Sequence, residues 1–165
     1  MSKFDLASKR AVGDIESKDV QEIAEFLNSL LANEYALFTK TLNYHWNVTG
    51  PRFHSLHTFL EDQYKQQLEI MDDMAERVRV LGENPIGTVK EMKDFMEMNE
   101  KNGKTLSSSE MIYDLFTSNL HIQSSIKDFV SDTDVFKKDP GTEDFLVSIL
   151  QKHEMMSWML KSHLT

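Results

Sequence analysis

The chain has no cysteine among its 165 residues, which removes disulfide staples, zinc ribbons, iron–sulfur clusters and thiol nucleophiles together. Any metal must therefore sit on His, Asp or Glu. Proline and glycine are scarce, three and six respectively, and they fall between long segments of helical periodicity rather than inside them. No apolar run reaches the ~18 residues of a membrane span, and the first five residues lack the apolar core of a signal peptide. The expected location is the cytoplasm, with nucleoid association as a variant of it and no membrane contact. Basic residues are outnumbered 18 to 27, for a formal charge of −9. Such a surface suits cations better than phosphate backbones, although the same charge also serves solubility.

A chain of this length buries about 70% of its unfolded surface in one domain. A single domain over 1–165 is expected, with 1–18 as a flexible tail. From Val20 the apolar positions Ile23, Leu27, Leu30, Leu31, Phe38 and Leu42 make one stripe of a helix of about 28 residues. Asn47 to Pro51 ends it. Phe53, Leu56, Leu60, Tyr64, Met71, Ala75 and Val78 mark a second helix that stops at Gly82. A turn this short makes the two antiparallel. A third long helix carries Ile112, Leu115, Ile122, Ile126 and Phe129 and opens on Ser107 and Glu110, a capping box. The fourth carries Phe145, Ile149, Met156 and Leu160 and begins after Asp139-Pro140, where proline suits the first turn. Residues 83–106 are too long for an ordinary turn and hold a short helix of their own from Thr88 to about Met98. The pattern predicts an all-α fold: a ferritin-like four-helix bundle, two hairpins joined by a long crossover that contains a short extra helix.

Di-iron sites inside such bundles use Glu-x-x-His pairs. None is present, because the residues three before the histidines are Leu42, Pro51, His54, Ser118, Leu150 and Leu160. A metal site inside a single bundle is therefore not expected, and any metal must sit elsewhere. The second helix offers another arrangement. At 100° per residue, with His57 at zero, Glu61 falls near 40°, Asp72 near 60° and Glu76 near 100°, beside the apolar stripe. His45 lies across the short turn from His57. Fifteen residues separate His57 from Asp72, about 22 Å of helix, whereas ligands lie ~2.0–2.6 Å from a metal. One ion cannot bind both ends within one subunit. A two-fold axis packing two such helices antiparallel would set His45 and His57 of one chain against Asp72 and Glu76 of another.

Three segments carry a family resemblance: Tyr44-His45-Trp46-Asn47, Phe53-His54-Ser55-Leu56-His57, and Met71-Asp72-Asp73-Met74-Ala75-Glu76-Arg77. They resemble the signature of Dps proteins, the DNA-binding proteins from starved cells. The likeness extends to Asp139-Pro140-Gly141-Thr142 and to His153 through Leu160. It implies that His45, His57, Asp72 and Glu76 are iron ligands of an intersubunit ferroxidase centre. Glu61 is then similar to the carboxylate serving a second, weaker iron position. It further implies a homododecameric shell that oxidises Fe(II) to Fe(III), with peroxide preferred over oxygen, and stores the mineral. Asp139 and Asp144 resemble acids of an iron-access pore, and Trp46 and Tyr44 resemble aromatics that absorb oxidising equivalents.

Plainer readings stand beside these. Asp139 reads equally as a helix cap, and the two aromatics as interface packing. Asp72 and Glu76 could pair with Arg79 or Lys65 on a solvated face. His54, His121, His153 and His163 read as structural, and the ten methionines as gap-filling core. The alternative function is a nucleoid-binding architectural protein. The tail argues against direct DNA binding, since Lys3, Lys9, Arg10 and Lys18 are interleaved with Asp5, Asp14, Glu16 and Asp19. A third reading, a helical bundle without metal, would show no ferroxidation.

Overall fold

The computed structural model describes residues 11–13, 15–98, 106–132 and 134–164. Most of the expected tail, including Lys3, Lys9 and Arg10, lies outside them. Among the described residues there are five α-helices and no strand: α1 (Ser17–Asn47), α2 (Phe53–Val80), α3 (Val89–Phe95), α4 (Ser108–Asp132) and α5 (Pro140–Ser162), with a 3-10 turn at Val135–Lys138.

Local chemistry accounts for the boundaries. Gly50, at φ +98°, allows the chain to reverse between α1 and α2. Gly82, at φ +90°, closes α2 in a Schellman motif, with Gly82 N–H bonded to Arg79 O and Glu83 N–H to Val78 O. Thr88 and Glu91 form a reciprocal capping box on α3. Ser107 and Glu110 make the same exchange at the start of α4. Asp139 caps α5 by accepting from Thr142 N–H at 3.1 Å, with Pro140 at the first helical position.

The bundle runs up, down, down, up. Tyr44 meets Asp114, Lys40 meets Ser118, and Phe26 stacks on Phe129 at 3.8 Å. Residue numbers thus fall along α4 as they rise along α1, and α2 meets α5 in the same antiparallel sense through Arg77–Asp139 and Asp73–Lys152. The crossover is fastened to α1 by two asparagine side chains. Asn28 accepts from Ile86 N–H, and Asn33 accepts from both Glu97 and Met98 N–H.

The core of α2 sits to one side of the stripe that its apolar residues suggest. The deepest positions are Leu56, Phe59, Leu60, Gln63, Gln67, Ile70, Met74 and Val78, whereas Tyr64, Met71 and Ala75 are only half-buried. Two glutamines at the centre of the buried face hide its true axis from a hydrophobicity pattern. The half-buried trio forms the border between core and carboxylate stripe.

Candidate metal site

His45, in the last turn of α1, and His57, in the first turns of α2, stack face to face with ring centroids 3.8 Å apart. Each Nδ1 lies 2.9 Å from the backbone carbonyl oxygen of the other residue. A carbonyl only accepts, so both Nδ1 atoms carry the proton. Each Nε2 is then left as a lone-pair donor suited to a metal. Tyr64 abuts His45 edge-on at 5.3 Å, and Phe53 covers His57 at 5.1 Å. His45 is buried and His57 half-buried, so the pair is held rigidly and opens to one side only.

Glu61 follows one turn after His57. Its Oε1 is 2.5 Å from the Lys65 ammonium, and that hydrogen bond, with the charge behind it, holds the Glu61 carboxyl below its ordinary range. Glu61 also lies within electrostatic reach of His45 and His57. Asp72 and Glu76 are exposed on α2. Among the described residues neither makes a hydrogen bond or ion pair, so the plainer pairing with Arg79 or Lys65 is not formed: Arg79 bonds Glu83 O and Asn84 instead. Also among the described residues, no three His, Asp or Glu side chains converge within one chain to hold an ion. The histidine pair and the acid pair are two separate groups about 22 Å apart along α2.

The remaining candidates scatter. Trp46 is exposed at 67%, on the surface beyond His45. Tyr44 points the other way, into the bundle, donating to Asp114 Oδ2 at 2.8 Å. Burial first, then the aspartate, raises its phenol well above the ordinary value. Asp139 is 4% exposed and held by Arg77 at 3.0 Å, with Thr142 bonded to both partners. The cap is thus on display, while Asp144 is exposed on the following turn. His153 is fully buried, but His54 and His121 are surface residues. Sequence reasoning missed the reciprocal bonds of the histidine pair and the Arg77–Asp139 link, which joins α2 to α5.

A family model described as a ferritin-like domain matches residues 24–165. The chain is 37% identical, over 86% of its length and 79% of the relative's, to a low temperature-induced protein of Nostoc. It is 30% identical to a DNA protection during starvation protein of Helicobacter pylori, over 85% of this chain and 96% of that one. A solved Dps protein from Bacillus brevis superposes with a TM-score of 0.83 at 31% identity, covering 92% of this chain and all of that one. The chain belongs to the Dps family. Its fold is the Dps version of the ferritin-like four-helix bundle, with α3 as the extra helix in the crossover. Among its described residues, no helix of this Dps chain is long and apolar enough to cross a membrane.

Proposed function

We propose that this Dps chain is an iron-sequestering ferroxidase whose sites are each completed by two subunits. The observation that carries the reading is the paired tautomer lock of His45 and His57, which presents two Nε2 lone pairs with no acid of the described residues completing a metal-holding group with them. Asp72 and Glu76, without hydrogen bond or ion pair among the described residues and on the same flank of α2, supply what the histidines lack when a second copy packs antiparallel. Fe(II) is the substrate. Imidazole binds it adequately, and carboxylate oxygen favours the harder Fe(III), so the mixed ligand set promotes oxidation. Glu61 serves a second iron position.

With peroxide as oxidant, two Fe(II) each give one electron, the O–O bond breaks, and two protons complete two waters. No hydroxyl radical is released. The ferric product then mineralises inside a hollow homo-oligomeric shell, a dodecamer, protecting the cytoplasm from oxidative damage. Asp144 is proposed to line a route for iron, whereas Asp139 is committed to Arg77 and the α5 cap. The relatives named for DNA protection during starvation support a second reading, binding to the nucleoid; the net charge of −9 weighs against it.

The deciding experiment mixes purified protein with anaerobic Fe(II), adds peroxide and follows ferric absorbance. Oxidation much faster than in buffer is expected. A rate equal to buffer would leave only a helical bundle without metal chemistry.

A further inference from the structure

Midway along the bundle, five polar side chains fill positions that the core would ordinarily give to hydrophobes. Glu34 of α1, Asn119 of α4 and His153 of α5 are each 0% exposed, and Gln63 and Gln67 of α2 are 1% exposed. His45–His57 and Phe38–Tyr64 fix the register of α1 against α2, which sets Glu34 opposite the residue after Gln67, with Gln63 one turn further on. His153 and Glu34 approach directly, Nε2 to Oε2, at 3.1 Å. His153 also contacts Asn119 at 2.8 Å.

Counting protons shows what is missing. Asn119 gives its side-chain N–H to Leu115 O, so the atom facing His153 Nδ1 is the amide oxygen, and Nδ1 carries the proton. The lone pair of a neutral imidazole at Nε2 would then face a carboxylate oxygen. Despite the 3.1 Å approach, Nε2 and Oε2 do not align as a hydrogen bond. Among the described residues, both oxygens of Glu34, both polar atoms of Gln63 and the Gln67 oxygen likewise have no hydrogen-bond partner. Among the described residues no Lys or Arg pairs with Glu34; the nearby buried Lys40 is taken by Asp114 at 3.2 Å. Water supplies hydrogen bonds but not charge. A fully buried carboxylate met only by an imidazole lone pair is costly unless a cation sits between them.

We propose that this cluster binds one divalent transition-metal cation inside each bundle, separate from the intersubunit iron site. Its donors are Glu34 carboxylate and His153 Nε2, which already approach each other, completed from α2, where the buried side-chain oxygens of Gln63 and Gln67 have no hydrogen-bond partner among the described residues. Two ligands at ~2.1 Å from one ion sit about 3.0–3.4 Å apart, depending on geometry, and the Glu34–His153 separation falls in that range. Asn119 fixes the imidazole as a second layer does at other metal sites. Lack of a Glu-x-x-His pair excludes one ligand geometry; it leaves open a site with one donor or more from each of three helices. Because the cluster is sealed from solvent, loading occurs during folding, and the ion exchanges slowly.

Co(II) tests this. The full chain is unfolded in urea and reassembled with Co(II), then dialysed against chelator. In the D72N/E76Q background, which disables the intersubunit carboxylates, about one cobalt per chain should be retained. Adding E34Q should reduce the retained cobalt at least tenfold. Crystals of the reassembled wild-type protein give a readout that no variant can spoil, an anomalous cobalt peak between Glu34 and His153. An empty map there overturns the proposal, as does cobalt retention that E34Q leaves unchanged. A refolded D72N/E76Q protein that holds no cobalt would show that a proton alone balances the cluster.

Discussion

His45 and His57 each give the Nδ1 proton to the other's backbone carbonyl, at 2.9 Å in both directions. Neither ring can turn without releasing the other's main chain, so the pair is one unit built across the turn at Gly50. If each iron site combines this unit with acids from a second subunit, broken subunits should complement one another. H57A and D72A are each expected to be nearly inactive. Co-expressed, half of the dimers are mixed and carry one intact site in two, so about a quarter of wild-type ferroxidation should return. Mixed assemblies, verified by mass spectrometry, that are no more active than the parents would refute shared sites.

Asp72 and Glu76 are exposed and make no hydrogen bond or ion pair among the described residues. D72N/E76Q should therefore change subunit stability by no more than about 0.5 kcal/mol, keep assembled shells on gel filtration, and slow ferroxidation tenfold or more. Loss of assembly would mean that these acids hold the interface rather than iron.

The Arg77–Asp139 link is a nearly buried pair, 20% and 4% exposed, and Asp139 also caps α5. D139A should cost about 3 kcal/mol, since it removes a cap and strands a guanidinium. Exposed D144N should leave the melting temperature unchanged. Slowed iron uptake in D144N at unaltered stability would assign the access route to Asp144.

His163 packs against Phe59 at 4.6 Å and accepts from Arg52 through its carbonyl. Burial, then the Arg52 charge, lowers its pKa from 6.5. The folded chain therefore takes up this proton less readily than the unfolded one, and stability present above pH 6.5 is lost as the pH falls below it. Hydrogen exchange at the end of α5 should quicken between pH 6.5 and 5, and H163Q should flatten that dependence.

Duplex DNA should be retarded weakly or not at all at about 0.15 M salt. A stable gel shift that survives deletion of residues 1–18 would show that the folded surface, not the tail, binds DNA.

Most of the bundle was legible because caps and glycines are local signals: Ser107–Glu110, Thr88–Glu91, Gly82 and Pro140 all do in the structure what their spacing implies. The two-stripe character of α2 was legible from periodicity, as was the distance that keeps His57 from Asp72. The exact core axis of α2 was not, because Gln63 and Gln67 read as surface residues although the fold buries both. The tautomer lock was also hidden, since it depends on carbonyl oxygens that carry no side-chain signature. Arg77 reads as part of a charged stripe, and only tertiary packing brings Asp139 to it.

The asparagine clasps bear on how the chain finds its topology. Docking one hairpin on the other joins residues 70 and 78 apart in sequence, Tyr44 to Asp114 and Lys40 to Ser118, and such non-local closure sets the tempo of folding. Subdividing the crossover does little to speed this, because halving a loop lowers its closure cost by only about 0.6 kcal/mol. What Asn28 and Asn33 contribute is direction. By gripping the backbone at Ile86 and at Glu97–Met98 from two points on α1, they hold the crossover against α1 as it travels and so favour one path for it over its alternatives.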